Sequence, residues 1–304
     1  MKMSLYSFAR LRRRTVALTV GVLAPLATLG IASPALAVTH HPTGEFAKFA
    51  DCPLSNPELT GCVYAETSSG EFTVGKRTVP INKPIILQGG IVEGPKGEIA
   101  FQAAEDGNTL TKVPLAVPGG LLNIVAPEYL PKWLREIFNN FINEGITGVT
   151  ETTELAGPAS NIGLSVFNLL TQKGTALSLP TKIKLSNAFL GGSCYVGSNS
   201  HPIVINFTTG TTEPPEKTLN KPITGTPGEL SFNEAGTLIT LTGGRLVNNT
   251  FAAPEAEGCG GLLSFLIDPA VDAELGLPSG AGYNTAILEG TLSTAESEAV
   301  TESE

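Results

Sequence analysis

Residues 179–185 read Leu-Pro-Thr-Lys-Ile-Lys-Leu, and this stretch indicates the fold class most clearly. Successive side chains of an extended strand point to opposite faces. Leu179, Ile183 and Leu185 therefore fall on one face, while the two lysines fall on the other. The pattern predicts a strand with one buried and one solvated face.

Short apolar segments of this kind recur along the chain, and glycine and proline separate them. The 304 residues include 34 Gly and 22 Pro, the residue types that most often form turns between strands. This spacing is typical of a mainly β chain with many turns. The predicted strands are 72–74, 78–81, 85–87, 98–101, 181–185, 203–207, 238–241 and 286–292.

One segment departs from the strand pattern and predicts a helix. Large apolar side chains repeat at a helical period between Pro127 and Glu144, and Gly145 suits the position after the last turn. We expect one long amphipathic helix over about 127–144, packed on the sheet with its apolar stripe buried. An exposed stripe would instead indicate a docking helix for a partner or a membrane surface. The stripe consists of Tyr129, Leu130, Trp133, Leu134, Ile137, Phe138, Phe141 and Ile142.

Short segments that recur in the same order in both halves of the chain indicate an internal duplication. The pairs are 62–64 with 194–196, 82–85 with 220–223, 97–101 with 228–232, and 119–124 with 260–265. We expect two sandwich- or barrel-like β-rich units, the first over 62–160 with the helix and the second over 161–292. In the second unit, Asp268-Pro269 predicts the start of a short helix that ends near Gly276.

The first 37 residues have the three parts of a cleavable signal peptide. A basic start is followed by the uncharged apolar run 15–32 and by Ala35-Leu36-Ala37, a small-residue cleavage site. An uncleaved anchor is the alternative, but Gly21 and Pro25 argue against it. We expect a secreted protein, extracellular or in the cell envelope, with no transmembrane segment after cleavage.

The remaining chain is acidic. The whole chain has 19 Lys+Arg and 28 Asp+Glu, and residues 1–37 hold five of the basic residues and no acidic one. Cleavage therefore leaves 14 basic residues and 28 acidic residues, which gives a formal charge of −14. Such a charge repels phosphate backbones and anionic lipids, which excludes nucleic acid as an expected partner. Residues 293–304 carry four glutamates and no aromatic residue, so we expect a disordered acidic tail.

Four cysteines follow the cleavage site, an even number that suits disulfides in an oxidising compartment. We expect Cys52–Cys62, which closes a Pro/Gly-rich loop in an N-terminal segment over 38–61, and Cys194–Cys259. A zinc site is a poor alternative because the chain has no C-x-x-C pair.

No catalytic motif is found, and no cofactor is predicted. His201 is the single histidine beyond residues 40–41, and it precedes a predicted strand as a loop residue. A glycosidase-like pair of carboxylates needs no histidine, so a hydrolase remains an alternative. Nothing in the spacing selects two of the candidates, which are Asp51, Glu66, Glu71, Glu93, Asp106 and Glu229.

One specific metal site is predicted, at the new N-terminus. Cleavage after Ala37 would place Val38 first and His40 third. This resembles the amino-terminal copper- and nickel-binding motif, in which an amine, two amide nitrogens and an imidazole surround the ion in a plane.

Taken together, the sequence predicts a secreted, non-enzymatic protein with a binding or structural role toward an unknown extracellular or envelope ligand. The alternatives are the hydrolase and a carrier of an apolar ligand.

Overall fold

The computed structural model describes residues 40–94, 99–120, 128–137 and 148–304. The chain divides into two units, 1–37 and 38–304, and every described residue belongs to the second. The described residues are mainly β, as predicted, and form two antiparallel sheets of seven strands each.

Strands make up most of the elements, which are numbered in chain order. The strands are β1 (Gly61–Val74), β2 (Arg77–Pro80), β3 (Ile85–Glu93), β4 (Ile99–Ala103), β5 (Leu115–Ala116), β6 (Thr150–Leu155), β7 (Gly163–Leu164), β8 (Leu177–Asn187), β9 (Gly191–Val196), β10 (Ile203–Phe207), β11 (Glu229–Phe232), β12 (Leu238–Asn248), β13 (Ala256–Glu257) and β14 (Thr285–Glu296). The helices are α1 (described over 132–137), α2 (Val166–Thr171), α3 (Ser264–Leu275) and α4 (Ser297–Glu302).

The two sheets share one hydrophobic core. The first sheet has the order β11-β12-β14-β1-β3-β4, with β2 beside β1. The second has the order β13-β9-β8-β6-β5, with β7 and β10 also paired to β8. Phe72 and Phe101 from the first sheet and Ile183 and Phe207 from the second join the same buried cluster. Two sheets that cover each other's apolar face form a sandwich.

The strand that the sequence predicted most clearly lies in the middle of the second sheet. In β8, Leu179, Ile183 and Leu185 are buried, as the alternation predicts. Lys182 and Lys184 lie on the outer face, where their ammonium groups are 5.0 and 6.0 Å from the centre of the Tyr195 ring.

The prediction of a disordered tail over 293–304 is wrong. Strand β14 continues to Glu296, and α4 follows it. Since β14 lies between β1 and β12, its backbone hydrogen-bonds on both sides. Ala295 and Val300 are buried in a cluster with Phe49 and the Cys52–Cys62 disulfide, so the segment has apolar contacts that its acidic composition does not reveal.

The predicted duplication is not supported by the structure. Segment 62–64 lies on β1 in the first sheet, whereas segment 194–196 lies on β9 in the second. Strand β4 pairs with the strand before it, and β11 pairs with the strand after it. Both halves also contribute strands to both sheets. Matched segments therefore occupy non-equivalent places in one interleaved sandwich.

The prediction of a buried helix stripe is wrong for the residues that the structure describes. In α1, Trp133 is 62% exposed and Ile137 is 58% exposed. The rest of the predicted helix, including Phe138 and Phe141, lies outside the described residues. The physical reason is that the two sheets cover each other, so the apolar sheet face that such a helix would cover is already occupied.

Candidate functional site

Helix α3 is the longest helix of the described residues, and burial does not hold it in place. Its sequence is SFLIDPAVDAEL, yet none of its residues is fully buried. Ile267, Val271 and Leu275 follow one another at i, i+4 and i+8 and pack partly against the core. On the other side of the helix, Phe265 and Leu266 are exposed. An apolar helix in this position needs other anchors.

Two carboxylates of the helix anchor it to the segment that precedes it in the chain. Asp268 Oδ1 accepts a hydrogen bond from the Cys259 amide at 2.7 Å, and Asp272 Oδ1 accepts one from the Ala256 amide at 2.7 Å. The predicted role of Asp268 as the start of the helix is therefore wrong, because the helix begins at Ser264 and Asp268 binds the preceding loop. The predicted end is confirmed, since Gly276 terminates α3 with a φ of 72°.

Lys76 in the β1–β2 turn and Arg77 at the start of β2 anchor the C-terminal end. The Lys76 amide donates to the Leu275 carbonyl at 2.8 Å, and Lys76 Nζ donates to the Ala273 carbonyl at 2.9 Å. Arg77 Nη2 forms an ion pair with Glu274 Oε1. Cations are favourable at a helix C-terminus, where carbonyl groups lack partners. Polar contacts at both ends thus hold the helix across the edge of the second sheet.

An apolar cavity of about 300 Å³ lies between α3 and the second sheet. Most of its wall is aliphatic or aromatic, and the charged residues in the wall are Arg77 and Glu274. Its described lining consists of Arg77, Val117, Gly120, Val149, Leu185, Phe189, Leu190, Ile267, Ala270, Val271, Glu274 and Leu275. Ligand sites commonly measure about 300–1,000 Å³ and combine apolar walls with a few polar groups. Size and composition both fit a small ligand.

Arg77 is the polar group of interest in this wall. The residue is only 7% exposed, and its Nη1 atom is buried without a hydrogen-bond partner among the described residues. A buried donor without an acceptor costs about 1–3 kcal/mol. Nη1 lies beneath the cavity surface, so a ligand oxygen accepts from it only after the guanidinium turns toward the cavity, and the Glu274 carboxylate already balances the positive charge.

The Cys194–Cys259 disulfide holds the segment in front of α3 against the second sheet. It joins β9 to the residue before Gly260, whose amide donates to the Leu190 carbonyl at 2.7 Å. Leu190 lines the cavity, so the disulfide lies beside the site. The predicted pairing is confirmed for both bridges, Cys52–Cys62 and Cys194–Cys259, and no cysteine is free.

Two smaller cavities lie between the sheets. They measure about 70 and 60 Å³ and share lining residues such as Ala65, Leu87 and Leu177. By comparison, an apolar cavity of about 150 Å³ binds benzene. The space between the sheets is therefore too small for a ligand of that size, and the cavity beneath α3 is the better candidate.

The predicted metal site remains a prediction. Val38 lies outside the described residues. His40 Nδ1, the imidazole nitrogen nearest its own amide, is 2.7 Å from Glu304 Oε1, and the His41 amide donates to the same oxygen at 3.2 Å. Copper or nickel would have to displace this carboxylate. Among the described residues, no group of three or more His, Cys, Asp or Glu side chains is arranged to hold a metal ion.

The carboxylates that were candidates for a hydrolytic pair lie at separate places in the fold. Glu66 accepts from the Tyr64 hydroxyl at 3.2 Å, and Asp51 accepts from Gln88 Nε2 at 2.9 Å. Asp106 accepts from the Asn108 amide at 2.7 Å in a turn. His201 Nδ1 is 3.2 Å from the hydroxyl of its neighbour Ser200. The remaining candidates lie on strands: Glu71 on β1, Glu93 on β3 and Glu229 on β11.

Glu151 on β6 is a buried carboxyl that the sequence did not indicate. Its ladder neighbours are Leu115 and Leu185, and its Oε1 atom is buried without a hydrogen-bond partner among the described residues. Burial raises the pKa of this carboxyl to about 8. The surrounding sequence TETTEL carries a second glutamate, Glu154, and no local signal distinguishes the two.

Comparisons with protein-family models, curated proteins and solved structures found no match for this chain. The two disulfides fit an extracellular protein. Within the described ranges, no helix has the length and apolar character needed to cross a membrane. What the site binds is therefore inferred from its residues.

Proposed function

We propose that this protein is exported and acts as a non-enzymatic binding protein for a small, neutral apolar molecule in the cavity beneath α3. The observation that carries the proposal is the 300 Å³ apolar cavity with buried Arg77 in its wall. Two disulfides and the signal-like residues 1–37 support an extracellular or envelope location.

The charges around the cavity favour a neutral ligand that carries an acceptor oxygen. Arg77 already pairs with Glu274, so a ligand carboxylate would bring a second negative charge to one guanidinium. The chain as a whole has a formal charge of −9, which also disfavours an anion. Once the guanidinium turns toward the cavity, a ketone, ester or alcohol oxygen can accept from Nη1 without this repulsion, while the hydrocarbon part of the ligand contacts the apolar wall.

Filling the cavity should abolish binding. In Val271→Trp, the indole would project from the inner face of α3 into the space that the ligand needs. We expect the affinity for 2-acetylnaphthalene, measured by fluorescence titration, to fall by more than about tenfold, which corresponds to about 1.4 kcal/mol. Leu266→Trp is the matched control, because it adds the same ring on the exposed side of the same helix. Equal loss in both variants, or no binding by the unaltered protein, would contradict the proposal.

Arg77→Met tests the polar contact separately. Naphthalene has no acceptor, whereas 2-acetylnaphthalene offers one carbonyl oxygen on the same skeleton. Loss of one buried hydrogen bond should weaken binding of the ketone by about tenfold and leave binding of the hydrocarbon nearly unchanged. If both ligands weaken equally, Arg77 acts only by holding Glu274 and α3 in place.

A further inference from the structure

The two edges of the first sheet differ in how they are protected. At one edge, β4 packs against the 3-10 turn Ala159–Asn161 and against β7. At the other edge, β11 pairs with β12, and all four of its residues are exposed. Natural sheet edges are commonly blocked by lysine, proline or a covering element, because an open edge can pair with another strand. Strand β11 contains neither lysine nor proline.

The register of β11 determines which backbone groups are free to pair. The Asn233 amide donates to the Leu238 carbonyl at 3.1 Å and closes the turn to β12. Hydrogen-bonded and non-hydrogen-bonded pairs alternate along an antiparallel ladder. Ser231 and Glu229 therefore direct their amide and carbonyl groups toward β12, while Leu230 and Phe232 direct theirs away from the sheet.

The side chains at this edge are apolar on one face. Leu230 is 42% exposed and Phe232 is 60% exposed. Leu230 lies opposite Leu241, which packs against Leu169 of α2. Helix α2 carries a further exposed phenylalanine, Phe167.

We infer that two copies of this chain associate by antiparallel pairing of their β11 strands, centred on Ser231. In this register Leu230 lies opposite Phe232 of the partner subunit, and the outward amide and carbonyl groups of both residues form two hydrogen-bonded pairs. The apolar side chains meet across the new ladder. Glu229 lies opposite Asn233 of the partner subunit rather than opposite another carboxylate, so the register is self-complementary in hydrogen bonding, apolar contact and charge.

Sedimentation equilibrium of the folded protein without residues 1–37 tests the inference. We expect a concentration-dependent dimer. Leu230→Pro removes an outward amide without removing a bond to β12, and Phe232→Lys adds a charge at the edge. Each should lower the dimer association constant at least about tenfold. Leu262→Lys is the matched control, because Leu262 is 99% exposed and lies outside this edge.

A cysteine variant gives a positive test that does not depend on losing the dimer. Ser231 would face Ser231 of the partner subunit in a non-hydrogen-bonded pair, with Cα atoms about 4.5 Å apart, a distance that a disulfide can span. We expect Ser231→Cys to form a covalent dimer on mild oxidation, and Glu234→Cys in the neighbouring turn to form little. A monomeric unaltered protein, a dimer unaffected by Leu230→Pro, or equal cross-linking of the two cysteine variants would each overturn the inference.

Discussion

Replacing Glu151 with glutamine is expected to stabilise the folded protein at pH 8 and to remove a loss of stability on the alkaline side. The folded-state pKa of Glu151 is raised to about 8 from a usual value of 4.5, because the carboxyl is buried. Between these values the folded state keeps a proton that the unfolded state has released. The free energy of unfolding therefore falls as the pH rises through this window, by about 1.4 kcal/mol per pH unit for this one group.

Glutamine has nearly the same shape and stays neutral, so Glu151→Gln should lose this contribution to the pH dependence. Urea unfolding at pH 5, 6.5 and 8 measures the slope. Glu154→Gln, on the same strand but only partly buried, is the control and should keep the slope of the unaltered protein. Equal slopes for Glu151→Gln and the unaltered protein would show that the buried carboxyl is not protonated in the folded state.

Removing the Cys194–Cys259 disulfide is expected to lower the free energy of unfolding and to weaken ligand binding together. The bridge joins residues 65 positions apart, a loop for which chain entropy predicts a stabilisation of about 4 kcal/mol. It also holds the segment before α3 beside Leu190 in the cavity wall. The double variant Cys194→Ala with Cys259→Ala should therefore lose stability in urea and affinity for 2-acetylnaphthalene.

The second disulfide provides the matched comparison. Cys52 and Cys62 are 10 positions apart and pack against Phe49 and Val300, away from the lining of the cavity. Replacing both with alanine should cost about 3 kcal/mol by the same entropy argument and leave ligand affinity unchanged. If the two double variants bind the ketone equally well, the Cys194–Cys259 bridge does not support the site.

The strand and helix features that depend on residues close together in the sequence were predictable. The alternation in 203–207 gives the bounds of β10 at both ends, and Gly276 ends α3 where a glycine is expected. The position of residues 285–296 between β1 and β12 was not predictable. It depends on pairing with residues more than 200 positions away, and for residues 293–304 composition alone suggested a tail.

The candidate site was less accessible to sequence analysis. Arg77 lies in the ordinary alternating segment RTVP and becomes part of a cavity wall only because α3 crosses the edge of the second sheet. That crossing depends on hydrogen bonds from loop amides to Asp268 and Asp272. No pattern in the sequence predicts these hydrogen bonds. The same holds for Glu151, whose burial follows from its neighbours in three dimensions.

The place of β14 also has a consequence for how the protein is made. Strand β14 pairs with β1 from Gly61 opposite Glu296 to Thr73 opposite Thr285. Until 285–296 arrive, the first sheet consists of two unjoined pieces, β1-β3-β4 and β11-β12. Such non-local pairing is slow to form. A chain cut short before Thr285 therefore exposes two long open strand edges, one on β1 and one on β12, and open edges can pair with other chains.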